Sequence, residues 1–132
     1  MFIDRRAWIS LAGTGALAAA AAITRSDVKI AGPIEYGQTS EPVHYSGHPK
    51  FQAFEFNARP GERVEVTVSA KAGRLQAYLA DSEYRSLAGG NEHFSATIPA
   101  KSPAGTYYIL ITEANRRPAV FTLNLERPSA KH

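Results

Sequence analysis

The sequence predicts an all-β protein, namely a two-sheet antiparallel sandwich of jelly-roll type with about seven or eight short strands. After residue 50, apolar and polar residues alternate with a period of two, as in strands that have one buried face and one wetter face. The apolar positions are mainly β-branched or aromatic, which strands favour. Turn residues such as Arg59-Pro60-Gly61 and Gly89-Gly90-Asn91 interrupt the alternation, and no segment after Thr24 carries a capped helical repeat. A small closed barrel is the structural alternative.

The individual strands follow from the same alternation. Val64, Val66 and Val68 show it most clearly, because charged or hydroxylated residues stand between them. In chain order, the predicted strands span residues 43–45, 51–57, 62–70, 74–80, 92–98, 105–113 and 119–126, with weaker candidates at 27–30, 34–36 and 84–88. The side chains predicted to face the core are Phe54, Phe56, Val64, Val66, Val68, Leu79, Tyr107, Ile109, Ile111, Phe121, Leu123 and Leu125.

The N-terminal segment has the pattern of a secretory signal peptide. Arg5 and Arg6 give it a charged start, and the Ala- and Gly-rich run that follows is uncharged up to Thr24 and offers several small-residue cleavage sites. We therefore predict a helical signal peptide over residues 1–23 and a single β domain over residues 24–132 in the periplasm or outside the cell. The tail from Pro128 should fray. A retained N-terminal anchor, which would be the chain's contact with a membrane, and a plain alanine helix are the alternatives.

The arginine pair also bears on the export route. Arg5-Arg6 followed by Trp8 resembles a twin-arginine signal, and the low hydrophobicity of the following run suits that route. Asp4 and Ser10 depart from the usual pattern, so the general secretory route stays open. The chain contains no cysteine, which suits export of a protein that has already folded in a reducing compartment.

Composition limits the function classes further. At 132 residues, with 44% apolar and 20% charged residues, the chain has room for one globular domain. The lack of cysteine excludes disulfides, thiolate metal sites and cysteine nucleophiles. The net charge is +3, and beyond the signal Arg116-Arg117 is the only adjacent basic pair. Because the bases are scattered, we expect no nucleic-acid partner.

Five segments carry a family resemblance through their order and spacing, namely residues 51–56, 60–68, 76–79, 103–109 and 121–125. In this order they are similar to the bacterial pre-peptidase C-terminal domain family, whose members are small jelly-roll-like sandwiches found beside secreted proteases and other exported enzymes. The resemblance runs from about Ile34 to Leu125 and implies a sandwich fold and an accessory role.

The family's calcium site does not transfer to this chain. Several members bind calcium through acids near the chain start and near an Asp-Leu-Tyr-Leu segment, where this chain reads Arg74-Leu75-Gln76-Ala77. Calcium needs several carboxylate oxygens. The nearest candidates, Glu35, Glu41, Asp81 and Glu83, lie apart in the sequence. We therefore predict no metal site and no cofactor.

No catalytic motif stands out in the sequence. No serine lies in a Gly-x-Ser-x-Gly elbow. His44 and His48 flank a turn instead of sharing a helix face, so they are not predicted to form a metal-binding pair. A small exported enzyme, such as a hydrolase, with an unrecognised site around His93, Asp81 and Tyr84 is the alternative function.

The surface feature that indicates a function is aromatic. Strand alternation places Tyr78 and Tyr108 on an outer sheet face, with Leu110 two residues further along. Such residues either cover the back of the sheet or form a platform for sugar rings or for a partner's apolar side chains. We predict an exported, non-catalytic binding or accessory module that contacts an exported protein or an envelope polysaccharide through these three residues.

Overall fold

The computed structural model describes residues 23–128. The predicted signal peptide, with its helix and the Arg5-Arg6 pair, and the last four residues lie outside this range. A 3-10 helix, Arg25–Asp27, precedes ten strands. The strands are β1 (Val28–Pro33), β2 (Gln38–Thr39), β3 (Val43–Tyr45), β4 (Phe51–Ala58), β5 (Arg63–Ala70), β6 (Leu75–Ala80), β7 (Ser86–Asn91), β8 (His93–Thr97), β9 (Gly105–Glu113) and β10 (Ala119–Glu126).

The ten strands form two five-stranded sheets, which confirms the predicted sandwich, although the sequence predicts only about seven or eight strands. Sheet A has the order β8-β5-β10-β2, with β3 also paired to β10, and sheet B has the order β1-β4-β9-β6-β7. All pairs are antiparallel except β1 and β4, where the antiparallel prediction is wrong. The chain leaves sheet B after β1, adds β2 and β3 to sheet A, and returns as β4 in the same direction as β1. Within residues 23–128, no helix is long and apolar enough to cross a bilayer.

The core lies between the sheets, where the predicted alternation holds. All twelve side chains predicted to face inward are buried, none more than 4% exposed. Ile34, Tyr45, Leu75 and Ile98 complete the core together with Ala58 and Ala77. Predicted and observed limits coincide for β3, β9 and β10.

Two local predictions are wrong. Residues 34–36 do not form a strand: Tyr36 and Gly37 lie in a turn in which the Gln38 N–H donates to the Glu35 carbonyl at 3.0 Å, and the strand begins only at Gln38. Gly89 and Gly90 lie inside β7 and do not form a hairpin turn. A side chain at Gly89 would collide with the Ala77 carbonyl, so glycine here permits the close approach and irregular register of β7 along β6.

The fold also brings together at one end several bases that are scattered in the sequence. Loops 46–50, 71–74 and 114–118 meet at one end of the sandwich, where the guanidinium Nε of Arg116 donates to the Gly47 carbonyl at 3.0 Å and Ala114 N–H donates to the Arg74 carbonyl at 2.8 Å. The five exposed bases of these loops, which we call the basic end, are Lys50, Lys71, Arg74, Arg116 and Arg117.

Candidate binding site

Tyr78, Tyr108 and Leu110 share the outer face of sheet B. Leu110 on β9 stands opposite Tyr78 on β6 and, on its other side, opposite Ala53 on β4. Tyr108, two residues earlier, stands between Glu55 and Ala80. The three side chains therefore belong to two neighbouring rows across the centre of this sheet.

This outer face carries a second, smaller apolar cluster. Its buried members are Phe51, Ala53, Ala80 and Leu110, and the partly buried side chains packed against them are Ile23, Val28, Tyr78, Tyr84 and Tyr108. Leu110 has no exposed surface, because the larger side chains of the cluster pack around it. The expectation that Leu110 contacts a ligand is therefore corrected: it forms the floor of the cluster. We call Phe51, Tyr78, Tyr84 and Tyr108 the tyrosine face.

Aromatic packing fixes the orientation of these rings. The Phe51 and Tyr78 rings meet edge to face, with centroids 6.4 Å apart. The Tyr84 and Tyr108 rings are 4.8 Å apart and tilted by 46°. Both arrangements lie within the range in which aromatic pairs attract each other beyond simple burial. The tyrosine rings are thus held by neighbours while each keeps part of its surface exposed.

Tyr84 is a member of the site that sequence alternation missed, because it lies in the loop between β6 and β7. Its φ is +66°, a left-handed conformation that bulky residues rarely adopt. Asp81 holds this loop: its carboxylate Oδ1 accepts the N–H groups of Glu83 and Arg85, each at 2.9 Å, and its Oδ2 accepts the Arg85 guanidinium Nε at 2.9 Å. The Tyr84 N–H in turn donates to the Asp81 carbonyl at 2.9 Å. A pattern of Asp followed by a turn is the signal that could have indicated this loop.

The charges near the face follow from these contacts. Partial burial raises the pKa of Asp81, but the hydrogen bonds from the backbone and guanidinium of Arg85 and from the backbone of Glu83 outweigh it and hold that pKa below its usual range. Burial, followed by the proximity of Tyr84, raises the pKa of the Tyr108 hydroxyl. Tyr108 therefore keeps its proton at neutral pH and can both donate and accept a hydrogen bond.

The residues of the alternative enzyme hypothesis do not meet. Asp81 and Tyr84 lie in one loop of sheet B, whereas His93 lies on β8 of sheet A. There the His93 Nδ1 is 2.9 Å from the Thr67 hydroxyl and its Nε2 is 3.4 Å from a Glu65 oxygen. These three side chains form a cross-strand polar row on a solvent-exposed sheet face. The predicted set of His93 with Asp81 and Tyr84 is therefore wrong as a single site.

A polar cluster closes the end of the sandwich opposite the basic end. The Tyr36 hydroxyl donates to Glu62 Oε1 at 3.0 Å, and the Arg127 guanidinium lies 3.1 Å from Glu62 Oε2 and 5.0 Å from the centre of the Tyr36 ring. Burial and the hydrogen bond to Glu62 raise the pKa of Tyr36. A groove of about 450 Å³ borders this cluster. The polar groups of this cluster therefore satisfy one another.

In the part of the chain that the structure describes, no three His, Asp or Glu side chains come together as a group that could hold a metal ion. The four acids considered as calcium ligands in the sequence lie in separate loops or form ion pairs. Glu83 lies 3.5 Å from the guanidinium of Arg85, which also pairs with Asp81. Glu35 and Glu41 are exposed in separate loops before β2 and β3.

Comparison with known proteins agrees on the fold. No protein-family model matches the chain, and no curated protein matches it. The pre-peptidase C-terminal domain of a Bacillus anthracis collagenase is similar in structure, with a TM-score of 0.55 and 13% identity over 74% of this chain and 95% of that domain. This likeness confirms, for the fold, the resemblance found in the sequence.

Two further solved structures are similar to the chain. Both are PliG proteins, described as periplasmic lysozyme inhibitors of g-type lysozyme. The protein from Aeromonas hydrophila has a TM-score of 0.59 and 13% identity, and the one from Salmonella Typhimurium has a TM-score of 0.52 and 19% identity. Each match covers 76% of this chain and 99% of the inhibitor.

Proposed function

We propose that this protein is an exported, non-catalytic binding module whose tyrosine face contacts another exported protein. The observation that carries the proposal is the difference between the two outer sheet faces. Apart from Val120, sheet A presents polar or charged side chains outward, among them Thr, Ser, Glu and His, whereas sheet B presents partly exposed tyrosines around a buried apolar floor. A sheet face that only faced water would need no such cluster.

The chemistry of the face favours a protein partner. Tyrosine is enriched at protein interfaces and among the residues that contribute most binding free energy, because it offers a large apolar ring and a hydroxyl at little cost in side-chain entropy. The rings here are already ordered by Phe51 and by the Asp81 loop, so binding would immobilise few side chains. The similar structures include lysozyme inhibitors, which bind a protein.

The proposal also includes export, with residues 1–23 as the signal and residues 24–132 as the working domain. The targeting pattern at Arg5-Arg6 supports it. Two of the similar structures are described as periplasmic proteins, which is consistent with a periplasmic location for this chain. A sugar polymer of the envelope is the other partner that stacked tyrosines could serve.

The test is capture of partners from envelope extract with immobilised bait. We expect the unaltered protein to retain one or more envelope proteins and the Tyr78→Ala/Tyr108→Ala bait to lose at least about tenfold of that capture, as removal of two interface tyrosines implies. Tyr78→Phe/Tyr108→Phe keeps both rings and should retain most of the capture. Thr67→Ala/Thr122→Ala, on the outer face of sheet A, is the matched control.

The melting temperature of each bait is measured first, so that loss of binding is distinguished from loss of folding. Equal capture by the unaltered protein and by a folded double-alanine bait would contradict the tyrosine face as the contact. Capture that is lost after glycosidase treatment of the extract, but not after protease treatment, would assign the face to a polysaccharide and refute a protein partner. Turnover of model ester, amide or glycoside substrates would support the alternative of an enzyme.

A further inference from the structure

We propose that the basic end is a docking surface for an anionic membrane surface, distinct from the tyrosine face. Its five bases come from three loops that join strands of both sheets. All five side chains are exposed at the same end of the sandwich. The formal net charge of the whole chain is only +3, so this end concentrates positive charge that the average conceals.

The acid beneath these loops, Glu113, is turned inward, towards the backbone. Glu113 is only 2% exposed, and its carboxylate accepts the backbone N–H groups of Arg74 at 3.0 Å, Asn115 at 2.7 Å and Arg117 at 2.8 Å. These bonds hold the pKa of Glu113 below its usual range. Glu92 is exposed, and its carboxylate accepts a hydrogen bond from the Leu75 N–H at 3.2 Å. Glu113 therefore fixes the loops that carry Arg74 and Arg117 while its own charge stays beneath them.

The opposite end of the sandwich provides a contrast. Its loops and the residue after β10 carry four bases and four acids, and ion pairs join Arg85 to Asp81 and Arg127 to Glu62. At the basic end, by comparison, the charged side-chain groups of Lys71, Arg74 and Arg117 form no ion pair or hydrogen bond within residues 23–128. Positive charge is thus displayed at one end and neutralised at the other.

An apolar groove beside the basic end favours a lipid surface over a soluble polyanion. The groove has a volume of about 730 Å³ and is lined by Pro42, by residues 69–72 and by residues 120–122. Lys71 belongs both to this groove and to the basic end. Val120 is 47% exposed here, one of two large apolar side chains so exposed in the described part of the chain. Basic side chains around an exposed apolar patch match the phosphates and the upper acyl region of an anionic bilayer.

Nucleic acid fits the basic end less well. Proteins that hold single strands combine a basic groove with aromatic side chains on which bases stack. The three loops contain no Phe, Tyr or Trp. Two neighbouring rings, Phe51 at 5.3 Å from the Lys50 ammonium group and Phe121 in the wall of the groove, are both buried.

The test is co-sedimentation with vesicles of phosphatidylglycerol and phosphatidylcholine in equal parts, compared with phosphatidylcholine alone. The protein is the form that cells expressing the full chain yield, and comparison of variants that share this N-terminus removes any contribution of the N-terminal segment. We expect strong preference for the anionic vesicles at low salt, and its loss at about 1 M salt, where charges are screened within about 3 Å. A membrane-facing Lys or Arg contributes roughly a fivefold factor, so Lys71→Gln/Arg74→Gln/Arg117→Gln should reduce partitioning on the order of a hundredfold.

The matched control removes the same charge elsewhere. Arg59→Gln/Arg63→Gln/Lys101→Gln should change partitioning no more than about threefold, since these bases lie at or near the far end, beyond a Debye length of about 10 Å. Val120→Ser should weaken binding severalfold without changing its salt dependence. The Tyr78→Ala/Tyr108→Ala bait should bind vesicles normally, so this proposal can fail or hold independently of the proposed function.

Three results would overturn the proposal. The first is the absence of preference for anionic vesicles at low salt. The second is an equal loss in both triple variants, which would indicate a nonspecific effect of net charge. The third is retention on heparin or on nucleic acid that depends on the basic end without any binding to vesicles, which would assign the surface to a soluble polyanion.

Discussion

Replacing Leu110 with alanine tests the second apolar cluster directly. A leucine on an open platform could be shortened at little cost, but Leu110 has no exposed surface and lies between Ala53 and Tyr78. Burial of a leucine side chain contributes about 1.5–3 kcal/mol, and the cavity left by Leu→Ala brings typical costs to about 2–5 kcal/mol. Because the partly exposed tyrosines can close over part of the cavity, we expect a loss of about 2–3 kcal/mol.

The assay is urea unfolding of a chain beginning at Ile23, which packs against this cluster. The one tryptophan, Trp8, lies in the predicted signal, so unfolding is followed by tyrosine fluorescence and far-UV circular dichroism. With a urea dependence of about 1–3 kcal/mol per molar, the midpoint should fall by roughly 1–2 M without a change in slope. Ile30→Ala, at a position 44% exposed on the edge strand β1, serves as the control and should cost at most about 0.5 kcal/mol.

A Leu110→Ala cost as small as that of the Ile30 control would refute the argument. It would mean that the tyrosine face does not pack on a shared floor, and Tyr78 and Tyr108 would then lack the fixed orientation on which the binding proposal depends. If Leu110→Ala lowers the free energy of unfolding as expected but leaves the capture of partners unchanged, the cluster contributes to stability and not to binding.

Four further outcomes follow from the sequence and the contacts. Phe121→Ala, in the main core, should cost on the order of 3–5 kcal/mol, measured by the same urea unfolding. Asp81→Asn should cost about 1–2 kcal/mol at pH 7 and free Tyr84 from its loop. Since the pKa of Asp81 is lowered in the fold, its contribution is present above the usual aspartate value of about 3.9 and is lost as pH falls through the folded value, so unfolding at pH 3 should differ less between the two proteins. If export uses the twin-arginine route, changing Arg5 and Arg6 to lysine should block it, as followed by N-terminal sequencing of protein from the outer compartment; normal export would exclude that route but not export itself. Millimolar calcium should leave the melting temperature unchanged; a rise would show that separated acids converge on the ion.

The sequence predicts the sandwich well because alternation is a local property. On β5, each valine alternates with a polar residue, and this pattern alone determines which side faces the partner sheet. The same logic places Tyr78 and Tyr108 on one outer face. It cannot indicate how deeply a side chain on that face is covered, which explains the error about Leu110. Burial of that residue depends on Phe51, a neighbour two strands away from Tyr78.

The features that the sequence does not predict depend on contacts between distant segments. Tyr84 reaches Tyr108 only because the Asp81 carboxylate binds the Arg85 N–H and closes the loop, with Tyr84 in a left-handed conformation. The basic end is assembled by Glu113, which connects the loop of Arg74 to that of Arg117 through backbone hydrogen bonds. Neither arrangement has a periodic pattern, since each arises from tertiary pairing.

The geometry allows the two proposed surfaces to operate together. The tyrosine face extends along the strands of sheet B, whereas the basic end lies across the strand ends, so the two meet only at the start of β4, where Lys50 adjoins Phe51. A membrane surface held against the strand ends would leave the centre of the sheet, with Tyr108 and Tyr84, open to the side. Capture of a partner by vesicle-bound protein should therefore equal capture by protein in solution. A partner that competes with anionic vesicles would instead mean that the contact extends over Phe51 onto the basic end, and that the two surfaces are one.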